Sequence, residues 1–354
     1  MHRRSFLHRI GLLSAGVFLP GEKWTFQTQE ISDFARRLKP VGRALEMKDY
    51  YVWGNSPVLD DKGNIHVFFS RWKKEKGMGG WLNGSEICRA VGKEPEGPFE
   101  YVETVLAPRR GYFDSTTCHN PTIKKIDGRY CLFYIGCSNG NTGTNRIGVA
   151  FSESPEGPWE KPDRPLINPG PKGAWDDHNT SNPTFIKHPN GEYWLYYKSW
   201  NTQDYETEIN GIKGNRKYGL AISNRLEGPY EKYSGNPVID FSDQGNNAQI
   251  EDGYVWREEG KFKMLARDMG YYNHTDGIIL ESEDGIHWGK PEIAYFDTTH
   301  YHIKQPPAPS YLRKYGRFER PQILFIDGKA AYLYVTTQGG KFMTASSFIF
   351  EINS

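Results

Sequence analysis

HNPTIKKIDGRYCLFY, residues 119–134, runs a polar pair, a proline, a hydrophobic stretch, a turn glycine and an aromatic-rich strand in that order. Four relatives of this stretch recur along the chain: NSPVLDDKGNIHVFFS (55–70), SNPTFIKHPNGEYWLYY (181–197), EDGYVWREEGKFKML (251–265, with Gly for Pro) and ERPQILFIDGKAAYLY (319–334). Their turn glycines, Gly63, Gly128, Gly191, Gly260 and Gly328, stand 65, 63, 69 and 68 residues apart. A period that regular implies repeated structural units rather than one sandwich. A second repeat runs out of phase with the first: EPEGPFE, SPEGPWE, RLEGPYE and SEDGIHW place a glycine turn before an aromatic at Gly97, Gly157, Gly228 and Gly285. Each unit therefore holds an inner and an outer hairpin, about four strands, the content of one propeller blade. The expected fold is all-β: a five-bladed β-propeller over residues 45–354, with a short helical segment ahead of it.

Upstream, residues 1–22 read as an export signal. Arg3-Arg4-Ser5-Phe6-Leu7 precedes an apolar run from Ile10 to Pro20, the twin-arginine pattern. That run is shorter than the roughly 20 residues a membrane-spanning helix needs, so no span is expected in the mature chain and the protein is expected in the periplasm. Residues 23–44 form an extension. Within it EISDFARRLKP (30–40) puts Ile31, Phe34, Ala35 and Leu38 on one helical face, with Pro40 as the stop.

Charge narrows the partners. Lys+Arg 44 against Asp+Glu 43 leaves a net charge of +1, so nothing suggests a nucleic-acid partner. Cys88, Cys118, Cys131 and Cys137 fit no zinc spacing and read as buried free thiols. No cofactor motif is present, and a cation in the channel is left open.

In a propeller the innermost strand of each blade lines the central channel. Residues at the starts of those strands converge on one mouth. The first unit brings Asp49, Tyr51, Trp53, Asn55 and Ser56; the second Asp114, His119 and Asn120; the third Asp176, Asp177, His178, Ser181 and Asn182; the fourth Glu251 and Asp252; the fifth Glu319 and Arg320. An Asp before a strand is commonly a turn cap, the plainer reading of Asp49 or Asp176 taken alone. Glu251-Asp252 differs, because two adjacent acids open a strand flanked by apolar residues. Glu319-Arg320 carries its own counter-ion. Trp53, Trp81, Trp175 and Trp256 are aromatic platforms for a sugar ring, with Trp256 better read as blade core. Arg71 is a candidate for holding a carboxylate or sulfate on a substrate.

These repeats resemble the five-bladed propeller glycoside hydrolases, the group that includes families 43, 62, 32, 68, 117 and 130. The runs YYVWGNSPV, SRW, SEICRA, EGPF, HNPTI, EDGYVW and ERPQIL also resemble bacterial sequences described only as glycoside hydrolase family proteins. The resemblance implies an oligo- or polysaccharide substrate and a trio of acids: a first-blade Asp, a third-blade Asp and a fourth-blade Glu. It implies Glu251 as the acid, since EDGYVW falls where the family's Glu-Gly-Pro stands. The other two positions depart from the pattern, reading Asn55-Ser56-Pro57 and Ser181-Asn182-Pro183. Asp49, Asp114 and Asp177, each a few residues before its blade's Pro, are the acids that would compensate. The working assignment makes Asp49 or Asp114 the base and Asp177 or Asp252 the group tuning Glu251, with His119 or His178 orienting substrate. A non-catalytic glycan-binding propeller is one alternative. A family 130-like phosphorylase is another, drawing its phosphate site from Arg71, Arg109, Arg110 and Arg267.

Overall fold

The computed structural model describes residues 29–209, 212–244, 248–304 and 315–353. The export signal of residues 1–22 lies outside the described residues. Five antiparallel sheets of three or four strands form the blades, and a two-stranded sheet of Glu208–Ile209 and Ile212–Lys213 stands apart from them. The first blade holds strands Tyr50–Leu59, Ile65–Lys73, Glu86–Gly92 and Glu100–Leu106. The second holds Thr117–Ile126, Arg129–Cys137 and Arg146–Ser152, with a lone bridge from Phe151 to Glu160 where its fourth strand would run. The third holds Ser181–Lys187, Tyr193–Ser199, Lys217–Ser223 and Glu231–Lys232; the fourth Gln249–Glu258, Lys261–Met269, Gly277–Ser282 and Glu292–Tyr295. Both glycine-turn repeats fall between strands as the sequence implies.

The fifth blade is built from both ends of the propeller. Glu319–Ile326, Lys329–Gly339 and Thr344–Ile352 supply three strands, and Leu38–Leu45 pairs antiparallel with the last of them as the outer strand. The expected helix is accordingly short. Ser32 caps it, accepting from the Ala35 amide at 3.1 Å, and it spans only Asp33–Arg37 with Phe34 and Ala35 buried. Leu38 and Pro40 belong to the strand instead, because pairing with Thr344–Ile352 satisfies backbone groups that a helix end would leave orphaned. The propeller framework thus begins ahead of residue 45.

The core lies between blades. Val67, Phe69 and Cys88 of the first blade pack on Leu324, Tyr334 and Ile349 of the fifth. Phe133, Val149 and Phe151 of the second meet Phe185, Leu195 and Tyr197 of the third. Trp256, read from the sequence as blade core, packs with Leu265, Phe318 and Leu333 between the fourth and fifth. Such clusters join every neighbouring pair of blades around the ring. All four cysteines are buried and free, as expected.

One local distortion repeats five times and shapes the site. Each inner strand carries an extra residue against its partner: Trp53 to Ser56 spans Ser70 to Phe68, and the same slip follows His119, Ser181, Glu251 and Glu319. The residue after each slip lies in the left-handed region: Gly54 (φ 63°), Asn120 (54°), Asn182 (44°), Asp252 (61°) and Arg320 (56°). Such bulges re-aim side chains, and they concentrate near functional sites. Asn and Asp tolerate this conformation, whereas Arg does not readily, so Arg320 is held there by its surroundings. The register also corrects one expectation. Gly54, not the Asn55-Ser56 pair before Pro57, is the first-blade counterpart of Asn120 and Asn182.

Candidate functional site

The five bulges surround a pocket of about 220 Å³ at one end of the channel. Trp53, His119, Asn120, Ser181, Asn182, Glu251, Asp252 and Glu319 come to it from the inner strands, and Trp81 closes over it from the short helical turn Met78–Leu82. Lys198, Trp200, Tyr205, Arg216, Thr142 and Asn145 complete the wall.

Along the floor the bulge residues join side chain to side chain. Asn120 Nδ2 donates to Asn182 Oδ1 at 3.3 Å, and Asn182 Nδ2 donates to Asp252 Oδ1 at 2.6 Å. The Arg320 amide donates to Asp252 Oδ2 at 3.2 Å. The buried Arg320 guanidinium reaches across the channel to the Asn120 carbonyl and Thr122 Oγ1, both at 3.4 Å, with Nη1 3.6 Å from Asp252. Gly54 leaves this ring its room: a Cβ there would stand 3.2 Å from Asn120 Oδ1.

The two adjacent acids sit in opposite electrostatic settings. Burial alone would favour a neutral Glu251, but Lys198, Arg216 and Arg267 outweigh it and hold its carboxyl well below the usual range. Lys198 Nζ donates directly to Glu251 Oε1, Arg267 Nη1 stands 3.2 Å from Oε2, and Arg216 Nε lies 3.7 Å from Oε1. Asp252 goes the other way: burial and then the Glu251 charge beside it push its pKa up to about 6, against the pull of Arg320. Glu319 is a third carboxylate, held by Arg267 Nη1 at 3.0 Å and Arg317 Nε at 2.6 Å. His119 is kept neutral by burial and by Arg320; it stacks on Trp81 at 4.9 Å and meets Ser85 Oγ through Nδ1 at 2.9 Å.

Several residues singled out from the sequence lie away from the pocket wall. Asp49 is exposed at the end of the first hairpin, where its carbonyl accepts from the Lys74 amide. Asp114 is fully buried with Lys161 Nζ at 2.7 Å, Tyr134 Oη at 2.9 Å and Arg109 Nε at 3.3 Å. Asp176 repeats that arrangement with Tyr197 Oη at 2.9 Å and Lys232 at 2.5 Å, so both are ties within their blades. Asp177 accepts from the Gly173 amide at 2.7 Å and the Thr202 amide at 2.6 Å, fastening the short helix Thr202–Glu206 that carries Tyr205. His178 stands behind the wall, stacked on Trp200 at 5.1 Å and tilted against Tyr205 at 4.3 Å. Trp175 stacks on Tyr197 inside the third blade. Asn55 is buried against Thr336 Oγ1 at 2.9 Å. Arg71 is tied to Glu86 at 2.7 Å on the first blade, between the rings of Tyr50 and Tyr101. Arg320 lies within the floor rather than on the wall. Of the arginines considered for phosphate, Arg267 reaches the pocket's carboxylates, while Arg109 is pinned to Asp114 and Asp163 and Arg110 is exposed in a turn.

Lys198, Arg216, Trp200 and Tyr205 went unnoticed in the sequence. Lys198 pairs across the sheet with Ser181, as Arg267 does with Glu251. Each thus sits 16 or 17 residues after its bulge, a spacing that could have marked it.

Comparison with known proteins agrees with this picture. The family model described as "Glycosyl hydrolases family 43" matches residues 98–218. The chain is 28% identical over 207 residues to an uncharacterised protein of Mycobacterium tuberculosis, covering 55% of this chain and 65% of that one. It is also 28% identical over 217 residues to the extracellular endo-alpha-(1->5)-L-arabinanase 2 of Bacillus subtilis, covering 55% and 44%. The match thus spans less than two thirds of either relative. Among solved structures, a family 117 glycoside hydrolase of the marine bacterium Zobellia galactanivorans superposes with a TM-score of 0.64 at 18% identity over 89% of this chain and 90% of that one. The GH43_1 enzyme of Xanthomonas citri complexed with xylotriose gives a TM-score of 0.58 at 14% identity over 89% and 91%. The resemblance to propeller glycoside hydrolases stated from the sequence is borne out. Among the described residues no helix is long and apolar enough to cross a membrane.

Proposed function

We propose that this chain, a five-bladed propeller similar to glycoside hydrolases, is an exported enzyme that cleaves glycosidic bonds of oligo- or polysaccharides in its axial pocket. The observation that carries the reading is the Glu251–Asp252 pair: two neighbouring carboxyl groups on one pocket wall, one held ionised by cations and the other raised to about 6. Glycoside hydrolysis needs that division, a protonated carboxyl to assist the leaving oxygen and an ionised one to activate water or attack the anomeric carbon. In this setting Asp252 is the more readily protonated of the two and Glu251 the ionised partner, the reverse of the acid role expected for Glu251 from the family pattern. Trp53 and Trp81 supply apolar surface for the ring, and neutral His119 with Asn120 and Asn182 supplies hydrogen bonds. A pocket of about 220 Å³, below the ~300–1,000 Å³ of sites for drug-sized ligands, suits one sugar unit at a chain end. Export rests on the twin-arginine pattern alone.

The test is an oligosaccharide panel with detection of reducing ends, run on the wild type, Glu251→Gln and Asp252→Asn. Glu251→Gln is expected to lose roughly 10²–10⁴-fold on every substrate. Asp252→Asn should lose as much on natural linkages but far less on aryl glycosides whose leaving group needs no proton. Undiminished turnover in both variants would remove the pair from the chemistry. Ligand binding without release of reducing ends by the wild type would make the protein a glycan-binding propeller.

A further inference from the structure

Three cations converge on Glu251: Lys198 and Arg216 on the pocket wall, with Arg267 alongside. Among the described residues Glu319 is the one other acid within ion-pair distance of these three, and it also faces the part-exposed Arg317. Lys198 and Arg267 are nearly enclosed, with side chains 6% and 7% exposed. Cations buried with less than a full counter-charge each are costly, so an incoming anion would be stabilised here. Lys198 Nζ and the Arg216 guanidinium each lie over the Trp200 ring, 5.3 Å from its centre, while His178 stacks on the same ring. Arg216 spends Nη1 on Gln249 Oε1 at 3.1 Å, while its buried Nε makes no hydrogen bond and neither does Arg267 Nε. Beside them Asn145, 3% exposed and on the wall, has a buried Oδ1 with no donor. Arg146, next in sequence, donates to the carbonyls of Gly143 and Asn145 and adds further positive potential.

We infer that the Lys198–Arg216–Trp200 wall binds an oxyanion carried by the substrate, and that the sugar unit held in the pocket is an acidic one bearing a carboxylate. Arg216 and Lys198 take the carboxylate, and the unfilled Asn145 Oδ1 accepts from a ring hydroxyl. An arginine fork suits a planar carboxylate. A neutral sugar would leave Glu251 as the one anion shared by both cations and forgo the added contact, as sites built for a polar group reject analogues that lack it. The inference rests on the hydrolase reading for the identity of the pocket, but its test is a binding measurement that needs no turnover.

Quenching of tryptophan fluorescence reports the wall directly, since Trp53, Trp81 and Trp200 line it. The full chain is titrated with D-galacturonate, D-glucuronate, D-galactose, D-glucose and inorganic phosphate, in low and high sodium chloride. At least one uronate should bind at least tenfold more tightly than its neutral counterpart, the gain of one charge-assisted contact. The preference should shrink in high salt, disappear in Arg216→Gln and largely survive in Arg216→Lys. Equal binding of uronates and neutral sugars by the wild type, or binding of neither uronate, overturns the inference whatever the variants do. Saturable binding of phosphate without a uronate preference assigns the wall to free phosphate and equally overturns a sugar-borne carboxylate. Loss of hydrolysis in the panel with the uronate preference intact would instead count against the hydrolase reading alone.

Discussion

Changing Asp114 to Asn separates a structural acid from a chemical one. Asp114 is fully buried, and its oxygens face Lys161 Nζ at 2.7 Å, Tyr134 Oη at 2.9 Å and Arg109 Nε at 3.3 Å. Asn keeps the shape and removes the charge. Arg109 retains Asp163 and the carbonyls of Lys161 and Pro162, so it is little affected. Lys161 is the group left exposed to the loss: its side chain is 10% accessible, and it keeps the Ala107 carbonyl at 2.9 Å, the Cys118 sulfur and the Tyr134 ring but no other acid among the described residues. Breaking a buried pair in this way costs about 3–5 kcal/mol, a large part of the 5–15 kcal/mol that stabilises a typical domain. Urea unfolding followed by circular dichroism should show a lower midpoint with little change in slope. Below the transition, kcat/KM on the best substrate of the panel should stay within about threefold of wild type, an effect of ~0.6 kcal/mol on the barrier. A variant as stable as wild type but a hundredfold slower would place Asp114 in the chemistry and refute its assignment as a blade tie.

Two further outcomes follow from the electrostatics. With Asp252 as the proton donor, kcat/KM should fall above about pH 6, tenfold per unit, in a pH–rate profile, and a limb unmoved by Asp252→Asn would contradict the assignment. The same upward shift from 3.8 gives a stability contribution that is full below about pH 4 and lost as pH rises through 6, whereas Glu251, shifted down, contributes above its unfolded pKa and loses that on acidification; urea midpoints across this range measure both. Because the Arg320 guanidinium already fills the channel floor beside Asp252, treatment with a chelator should leave activity and thermal midpoint unchanged, and a chelator-sensitive enzyme would mean that a cation shares the floor with it.

The fold was legible because each blade repeats the same turn chemistry. Gly63, Gly128, Gly191, Gly260 and Gly328 all take positive φ at hairpin tips, and such a demand leaves its mark on composition. The inner-strand residues of the pocket were legible for the same reason: Glu251, Asp252, Asn182, His119 and Glu319 stand at a repeated landmark. Second- and third-strand residues were not. Alternation tells the faces of a strand apart, but in a blade both faces are covered by neighbouring blades, so Lys198 in YWLYYKSW reads as a stray charge and Arg216 as part of a turn. The bulge was hidden too, since one extra residue does not disturb the spacing of glycines sixty residues apart. That is why Pro57 looked like the partner of Pro121 when Gly54 holds the equivalent place to Asn120. Asp114 and Asp177 misled for a simpler reason: sequence proximity to a strand start places a residue near the mouth but does not aim its side chain.

The seam in the fifth blade has a consequence for how the molecule comes into being. Leu38–Leu45 leaves the ribosome about three hundred residues before the Thr344–Ile352 strand it pairs with, and until then that segment is an unpaired edge open to wrong neighbours. Ring closure therefore waits for residues 344–352 and is governed by the most distant contacts in the propeller, which are the slowest to form. A chaperone or any other factor that shields residues 38–45 during synthesis would act on the step that decides whether a closed ring appears at all.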